Sequence, residues 1–197
     1  MPSVLILTHG AGSNRNAPLL VALERAFGPL QMAVDRIDLP FRERRPHGPP
    51  FPGEAAADRA AIRERVMKAR AEGAGRVFLG GHSYGGRQST MAAAESPGLA
   101  DALLLLSYPL HPPRKAADRR TAHFPNLRTP ALFVHGSRDP FGALEEMRQA
   151  LELIPAPAKL IDCEDAGHDL RTRRGESPDA LAAMVASEFA AFIESAC

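Results

Sequence analysis

Arg76-Val77-Phe78-Leu79-Gly80-Gly81-His82-Ser83-Tyr84-Gly85-Gly86-Arg87 changes character twice within twelve residues. It opens as a short apolar run, Arg76–Leu79, of the length and composition of a buried strand. It then passes through Gly81–Gly85, which reads Gly-x-Ser-x-Gly, and from Gly86 it takes up helical spacing. A serine at so sharp a strand-to-helix turn is held in a strained backbone, with its hydroxyl projecting above the sheet. Glycine at positions 81 and 85 suits the tight turn, because a Cβ at either place would meet the neighbouring strand or helix. The positive end of the following helix favours negative charge developing at Ser83.

Outward from this turn the same alternation continues in both directions. Strand-like runs are expected at Val4–Thr8, Met32–Leu39, Arg76–Leu79, Ala102–Ser107, Ala131–Val134 and Lys159–Cys163. Between them, apolar residues recur at three and four in Pro18–Phe27, Glu54–Glu72, Gly86–Ala94, Leu144–Leu153 and Pro178–Ser195, which predicts helices. Runs such as Ala102-Leu103-Leu104-Leu105-Leu106 lack polar alternation, as strands covered on both faces do. Strand and helix in strict alternation mean an α/β fold with a parallel sheet between helical layers. Two connections, Pro40–Gly53 and Pro109–Pro125, are long and proline-rich. Each follows the carboxyl end of a strand, where open α/β sheets bind ligands, and both are expected as loops.

A nucleophilic serine needs a base, and the base needs an acid to orient it. Both should stand on loops at the carboxyl ends of later strands. After the fifth strand comes His135-Gly136-Ser137-Arg138-Asp139-Pro140, and after the sixth Glu164-Asp165-Ala166-Gly167-His168-Asp169. Ser83, Asp139 and His168 then share one edge of the sheet, in the chain order serine, acid, histidine. Asp165 and Asp169 are rival acids, but each is close to His168 in sequence and badly placed for its far ring nitrogen. His47, His111, His123 and His135 lack the combination of loop and order, and are expected as surface or core residues.

Stabilising a developing oxyanion requires aimed backbone N–H groups. Tyr84, directly after the serine, is one expected donor; Ala11, in the loop Thr8-His9-Gly10-Ala11-Gly12-Ser13-Asn14, is the other. A dinucleotide-binding loop is the rival reading of Gly10-x-Gly12, with Asp35 or Asp38 as its acid. Its third glycine is missing, since Arg15 stands there. No His, Cys, Asp or Glu cluster has metal-ligand spacing, so neither a metal nor a cofactor is expected.

Gly80–Arg87, together with His135–Pro140 and Ala166-Gly167-His168-Asp169-Leu170, resembles the α/β-hydrolase superfamily, and most of all its small dienelactone-hydrolase-like branch. The resemblance runs over nearly the whole chain. It implies a single domain over residues 1–197, a Ser83–Asp139–His168 triad and a six-stranded, mainly parallel sheet in the order 2-1-3-4-5-6. It says nothing about the substrate. Dienelactone hydrolases proper carry cysteine where this chain has Ser83, so their substrate is not implied. The chain starts at what would be the family's third strand, so the two antiparallel strands before it, and a large lid, are expected to be missing.

Composition narrows the partners. With 24 Lys+Arg against 23 Asp+Glu the formal charge is +1, which gives no reason to expect nucleic-acid binding. Hydrophobic residues at 45% and charged residues at 24% are ordinary for a globular chain. Two cysteines, Cys163 and Cys197, make no disulfide framework and fit a reducing, cytoplasmic setting. No apolar run reaches membrane-spanning length. The expected partner is a small-molecule ester, held by the loops Gly10–Asn16, Pro40–Gly53, Pro109–Pro125 and Gly167–Gly175. The oligomeric state stays open between monomer and dimer. These loops carry Arg15, Arg42, Arg44, Arg45, Arg114, Lys115, Arg119, Arg120, Arg171, Arg173 and Arg174, eleven of the 24 basic residues. A solvated face is the plain expectation for them, and attraction of an anionic ester the sharper one. The functional expectation is hydrolysis of a carboxylic ester or thioester through an acyl-enzyme. The alternatives are a non-catalytic interaction module, and acyl transfer or perhydrolysis by the same residues.

Overall fold

In a computed structural model describing residues 2–171 and 177–196, six strands form one parallel sheet in the order β2-β1-β3-β4-β5-β6. The strands are β1 (Ser3–Thr8), β2 (Met32–Ile37), β3 (Arg76–His82), β4 (Leu103–Leu106), β5 (Ala131–Gly136) and β6 (Ala158–Cys163). The helices are α1 (Pro18–Phe27), α2 (Pro40–Arg44), α3 (Ala55–Ala71), α4 (Tyr84–Glu95), α5 (Leu144–Leu151) and α6 (Pro178–Ala196). Arg173, Arg174 and Cys197, singled out from the sequence, lie outside the described residues.

Leu103–Leu106 shows why an unbroken apolar run is a central strand. All four side chains are fully buried, yet they divide between two cores. Leu104 and Leu106 join Leu5, Leu7, Phe78, Leu132 and Val134 beneath α1 and α6. Leu103 and Leu105 join Ile6, Val77, Leu79 and Phe133 beneath α3, α4 and α5. Side chains alternate across a strand, so a strand with helices on both faces has no position left for a polar residue. Each buried leucine contributes roughly 1.5–3 kcal/mol relative to exposure.

Two expectations need correction. The connection after β2 is not all loop: Pro40 starts the short helix α2, where its lack of an N–H leaves no helical bond unmade. Its Arg42 is only 6% exposed and gives its guanidinium to the carbonyls of Ala11, Ser13, Arg45 and Gly48. Helix α4, in turn, begins at Tyr84 rather than Gly86, and β3 runs on through His82. Strand and helix therefore meet with Ser83 alone between them.

The connection after β4 is anchored to α4. His123 immediately precedes its short 3₁₀ turn (Phe124–Asn126), with Nε2 2.8 Å from the Thr90 hydroxyl, which itself donates to the Arg87 carbonyl at 2.8 Å. Burial, then the nearby cations Arg87 and Arg59, push the His123 imidazole down to about 4. The folded state therefore resists a proton that the unfolded state accepts near pH 6.5. Stability from this residue is present above pH 6.5 and is lost as pH falls toward 4, an effect on the order of 3 kcal/mol. Chemical denaturation from pH 7 to pH 4 should show that loss, and His123→Gln should flatten it. An equally steep profile in the variant would contradict this assignment.

Candidate active site

Strand order reverses at β1: the chain steps to β2 on one side and returns to β3 on the other. Such a switch point opens a crevice at the carboxyl ends of the two flanking strands. Here it brings the loop after β1 against the turn after β3. A methyl group added to Gly10 would lie 2.8 Å from His82 Nδ1 and 3.6 Å from Ser83 Cβ.

Ser83 has φ 51° and ψ −114°, a strained backbone for a residue with a side chain. Three main-chain hydrogen bonds hold it there: Ser83 N–H to the Leu106 carbonyl (2.8 Å), Arg87 N–H to the Ser83 carbonyl (3.0 Å) and Gly85 N–H to the His9 carbonyl (3.2 Å). The turn closes because positions 81 and 85 carry no side chain. A Cβ on Gly81 would press on the Thr8 hydroxyl and lie 2.6 Å from Gly86 N; one on Gly85 would lie 2.6 Å from the His9 carbonyl oxygen.

The three residues expected to act together meet. His168 Nε2 lies 2.8 Å from Ser83 Oγ, and His168 Nδ1 lies 2.8 Å from Asp139 Oδ2. A carboxylate only accepts, so Nδ1 carries the proton and Nε2 accepts from the serine hydroxyl. Asp139 has a fully buried side chain, while His168 remains 23% exposed. The other Asp139 oxygen accepts the Phe141 N–H at 2.9 Å, and the Phe141 ring lies over the His168 imidazole with centroids 4.2 Å apart. The rival acids are engaged elsewhere: Asp169 accepts the Arg171 N–H at 3.1 Å, and Asp165 pairs with Arg138 at 3.7 Å.

The two expected amide donors stand on the two sides of this crevice. The Tyr84 phenol donates to Asp58 at 2.6 Å, and Asp58, itself buried, also accepts the Phe41 N–H. Across from it, the Gly10 carbonyl accepts from the His9 ring (Nδ1, 2.9 Å) and from the Ser13 N–H (3.1 Å). His9 Nε2 takes the Leu39 N–H at 3.1 Å, which leaves Nδ1 as the donor. In a trans peptide N–H and C=O point in opposite directions, so these bonds turn the Ala11 N–H away from His9. Among the described residues neither the Ala11 nor the Tyr84 N–H has an acceptor.

His82 was not among the expected site residues. Its Nε2 lies 2.8 Å from the His168 carbonyl oxygen, and burial lowers its pKa, so the neutral ring donates this bond. The only hint in the sequence is its place as the first variable residue of Gly-x-Ser-x-Gly. Of the other histidines, His135 is buried with Nε2 2.8 Å from the Gly142 carbonyl, and His111 faces Glu146 at 3.2 Å.

A cavity of about 690 Å³ adjoins the site, lined by His9, Gly10, Ser13 and His82, by residues 162–165 and 169–171, and by the first turns of α1 and α6. The expected walls are thus partly corrected: residues 40–53 and 109–125 do not line it. Five residues of the basic loops meet a carboxylate. Arg15 pairs with Asp38, Arg44 and Arg45 with Glu54, Arg119 with Glu146 and Arg171 with Asp169. Arg45, then the Phe51 N–H, holds the Glu54 carboxyl down at about 2. Among the described residues no group of three His, Cys, Asp or Glu side chains is arranged to hold a metal ion, and no helix is long and apolar enough to cross a membrane.

Solved structures share this fold. A dienelactone hydrolase from Anabaena variabilis is 21% identical, with a TM-score of 0.75 over 97% of this chain and 87% of its own. Est1E from Butyrivibrio proteoclasticus, solved with ferulic acid bound, is 18% identical, with a TM-score of 0.75 over 98% of this chain and 90% of its own. A serine hydrolase without a lid from Xanthomonas campestris is 18% identical, with a TM-score of 0.72 over 96% of this chain and 82% of its own. A family model for the alpha/beta hydrolase domain matches residues 2–194, and the chain belongs to the α/β-hydrolase family.

Proposed function

We propose that this protein is a serine hydrolase that cleaves carboxylic esters or thioesters of small substrates through an acyl-enzyme on Ser83. The observation that carries the reading is the unbroken relay Ser83 Oγ, His168 Nε2, His168 Nδ1, Asp139 Oδ2, with 2.8 Å at each hydrogen bond. Ser83 Oγ attacks the carbonyl carbon as its proton passes to His168 Nε2. The carbonyl oxygen becomes an oxyanion, received by the N–H groups of Ala11 and Tyr84. On collapse the bond to the leaving oxygen or sulfur breaks, and His168 returns the proton to it. Water then repeats the sequence on the acyl-Ser83 ester, releasing the acid and restoring the serine. Asp139 keeps the Nδ1 proton in place and stabilises the imidazolium.

Mixing the protein with an activated 4-nitrophenyl ester, acid quenching and peptide mass mapping tests this reading. One acyl group on the peptide bearing Ser83 is expected during turnover. Turnover that persists in Ser83→Ala, with no acyl adduct in the native protein, would contradict it.

His82 acts in this scheme by positioning. Its donation to the His168 carbonyl fixes the loop that presents the base, and misplacement by about 1 Å costs on the order of 10²-fold. His82→Phe is therefore expected to lower kcat by roughly 10- to 100-fold with a smaller effect on KM, and His82→Gln, which retains an N–H donor, to recover part of it. Equal kcat in the phenylalanine variant and the native enzyme would remove His82 from the scheme.

A further inference from the structure

Leu39-Pro40-Phe41-Arg42, where α2 starts, bonds to both sides of the crevice beside Ser83. On the side of the loop after β1, the Leu39 N–H donates to His9 Nε2 at 3.1 Å, and His9 Nδ1 in turn donates to the Gly10 carbonyl at 2.9 Å. Arg42 takes the same loop by the carbonyls that follow: its Nη2 donates to Ala11 and its Nε to Ser13, each at 2.7 Å. On the other side, the Phe41 N–H donates to one oxygen of the buried Asp58 at 3.2 Å, and the Tyr84 hydroxyl donates to the other at 2.6 Å. The buried Phe41 ring stands between the two sides. Its centroid is 5.5 Å from that of His9 and, edge to face, 5.4 Å from that of Tyr84.

Arg42 is an unusual residue to bury here. A cation taken out of water is costly unless it is paired, yet no carboxylate oxygen lies within 4.0 Å of Arg42 among the described residues. Its guanidinium goes instead to four carbonyls: Ala11 and Ser13 in the loop after β1, and Arg45 (3.1 Å) and Gly48 (3.0 Å) in the chain after α2. Every guanidinium nitrogen is thus engaged, and residues 40–53 do not line the cavity, so Arg42 acts on the loop and not on a substrate. The loop needs such ties. Gly10 and Gly12 flank Ala11, and glycine has little preference of its own for one conformation. The peptides on both sides of Ala11 are held from outside: the Gly10 carbonyl by His9 and Ser13, the Ala11 carbonyl by Arg42. With both planes fixed, the direction of the Ala11 N–H is fixed as well.

Resting on the hydrolase reading above, we propose that α2 is a brace that sets the spacing of the two oxyanion donors, with Arg42 as its main positioning residue. Amide donors accelerate acyl transfer when they are aimed, before the reaction, at the place where the oxyanion forms. Arg42 ties the Ala11 side to α2, Asp58 ties the Tyr84 side, and the Phe41 ring keeps the two apart. Arg42 itself makes no bond to the reacting atoms.

The test measures kcat and KM for 4-nitrophenyl butyrate, and the inhibition constant of an aryl trifluoromethyl ketone, in the native protein, Arg42→Gln and Tyr84→Phe. Ser83 Oγ bonds to the ketone carbon, its proton passes to His168 and the ketone oxygen becomes an oxyanion. The inhibitor therefore needs the same two N–H groups as the transition state. Arg42→Gln is expected to lower kcat by roughly 10- to 100-fold, the cost of a misplacement of about 1 Å, and to weaken the ketone by the same factor with little change in KM. Tyr84→Phe, which keeps its N–H and loses only the bond to Asp58, is expected to lose about tenfold in both. The pH profile of kcat/KM, set by His168, should stay in place. Phe189→Leu, in the core on the opposite face of the sheet from Phe41, controls for destabilisation alone and should change neither constant.

The proposal is overturned by native kcat in folded Arg42→Gln, by a loss that the ketone does not share or that comes with a shifted pH profile, or by an equal loss in Phe189→Leu. If Arg42→Gln does not fold, Arg42→Lys, which keeps the charge but cannot span four carbonyls, carries the same expectation. If the native protein neither hydrolyses the ester nor binds the ketone, the hydrolase reading fails by itself, and the brace is judged by hydrogen exchange. Amides of residues 10–14 are then expected to exchange about tenfold faster in Arg42→Gln, the scale of one lost charged hydrogen bond, and unchanged exchange overturns the brace.

Discussion

Replacing Ser83 with alanine is expected to lower kcat for an activated ester by about 10⁶-fold, the scale seen when the nucleophile of a working triad is removed. The loss should fall on kcat rather than KM, because the serine oxygen makes its bond only as the transition state forms. Some acceleration over water should survive. The Ala11 and Tyr84 N–H groups are held by contacts that do not involve the Ser83 side chain: the His9 and Ser13 bonds to the Gly10 carbonyl, and the Tyr84 phenol on Asp58. A residual rate about 10³-fold above background fits a site whose oxyanion donors remain in place. The variant should fold as well as the native chain, since alanine removes only a hydroxyl. Relieving none of the strain at φ 51°, it should not gain stability either. Near-native kcat in folded Ser83→Ala would show that catalysis runs elsewhere.

Asp139→Asn is expected to lower kcat by about 10⁴-fold with little change in KM. The asparagine is the same size, and its side-chain oxygen can still accept the Phe141 N–H that Asp139 now takes at 2.9 Å. Its amide N–H₂ then faces His168 Nδ1 and donates to it. That drives the ring proton to Nε2, the wrong nitrogen for accepting from Ser83. The effect is one of tautomer, not of geometry. The His168 C–H and N–H resonances, observed by NMR, should report the changed tautomer in a folded protein. A loss of less than about tenfold would mean that Asp139 does not set the tautomer.

How far the molecule could be read in advance depended on the range of the interaction. Leu103–Leu106 declared a central strand because both faces of one strand are settled by residues adjacent in sequence. The turn at Gly81–Gly85 was legible from its own residues, since a Cβ on Gly81 would meet Gly85 and Gly86, although Thr8 and His9, which also crowd it, come from the far end of the sequence. Asp139 and His168 were legible because a parallel sheet delivers every strand's carboxyl end to one edge. His82 was not, since its partner, the His168 carbonyl, lies 86 residues away and has no side-chain signature. The ion pairs of the basic loops were hidden for the same reason: Asp38 and Glu146 are brought to Arg15 and Arg119 only by folding. Helix α2 was hidden by the prolines around it, of which Pro40 at its start favours a helix rather than breaking one.

The most direct measurement is the intact mass of the native protein and of Ser83→Ala after exposure to a fluorophosphonate, which reacts with an activated serine and with little else. The account predicts one adduct on the native chain, mapped to Ser83, and none on the variant. A folded native protein that takes up no label, or a variant that labels as readily, would contradict the claim that His168 and Asp139 activate Ser83.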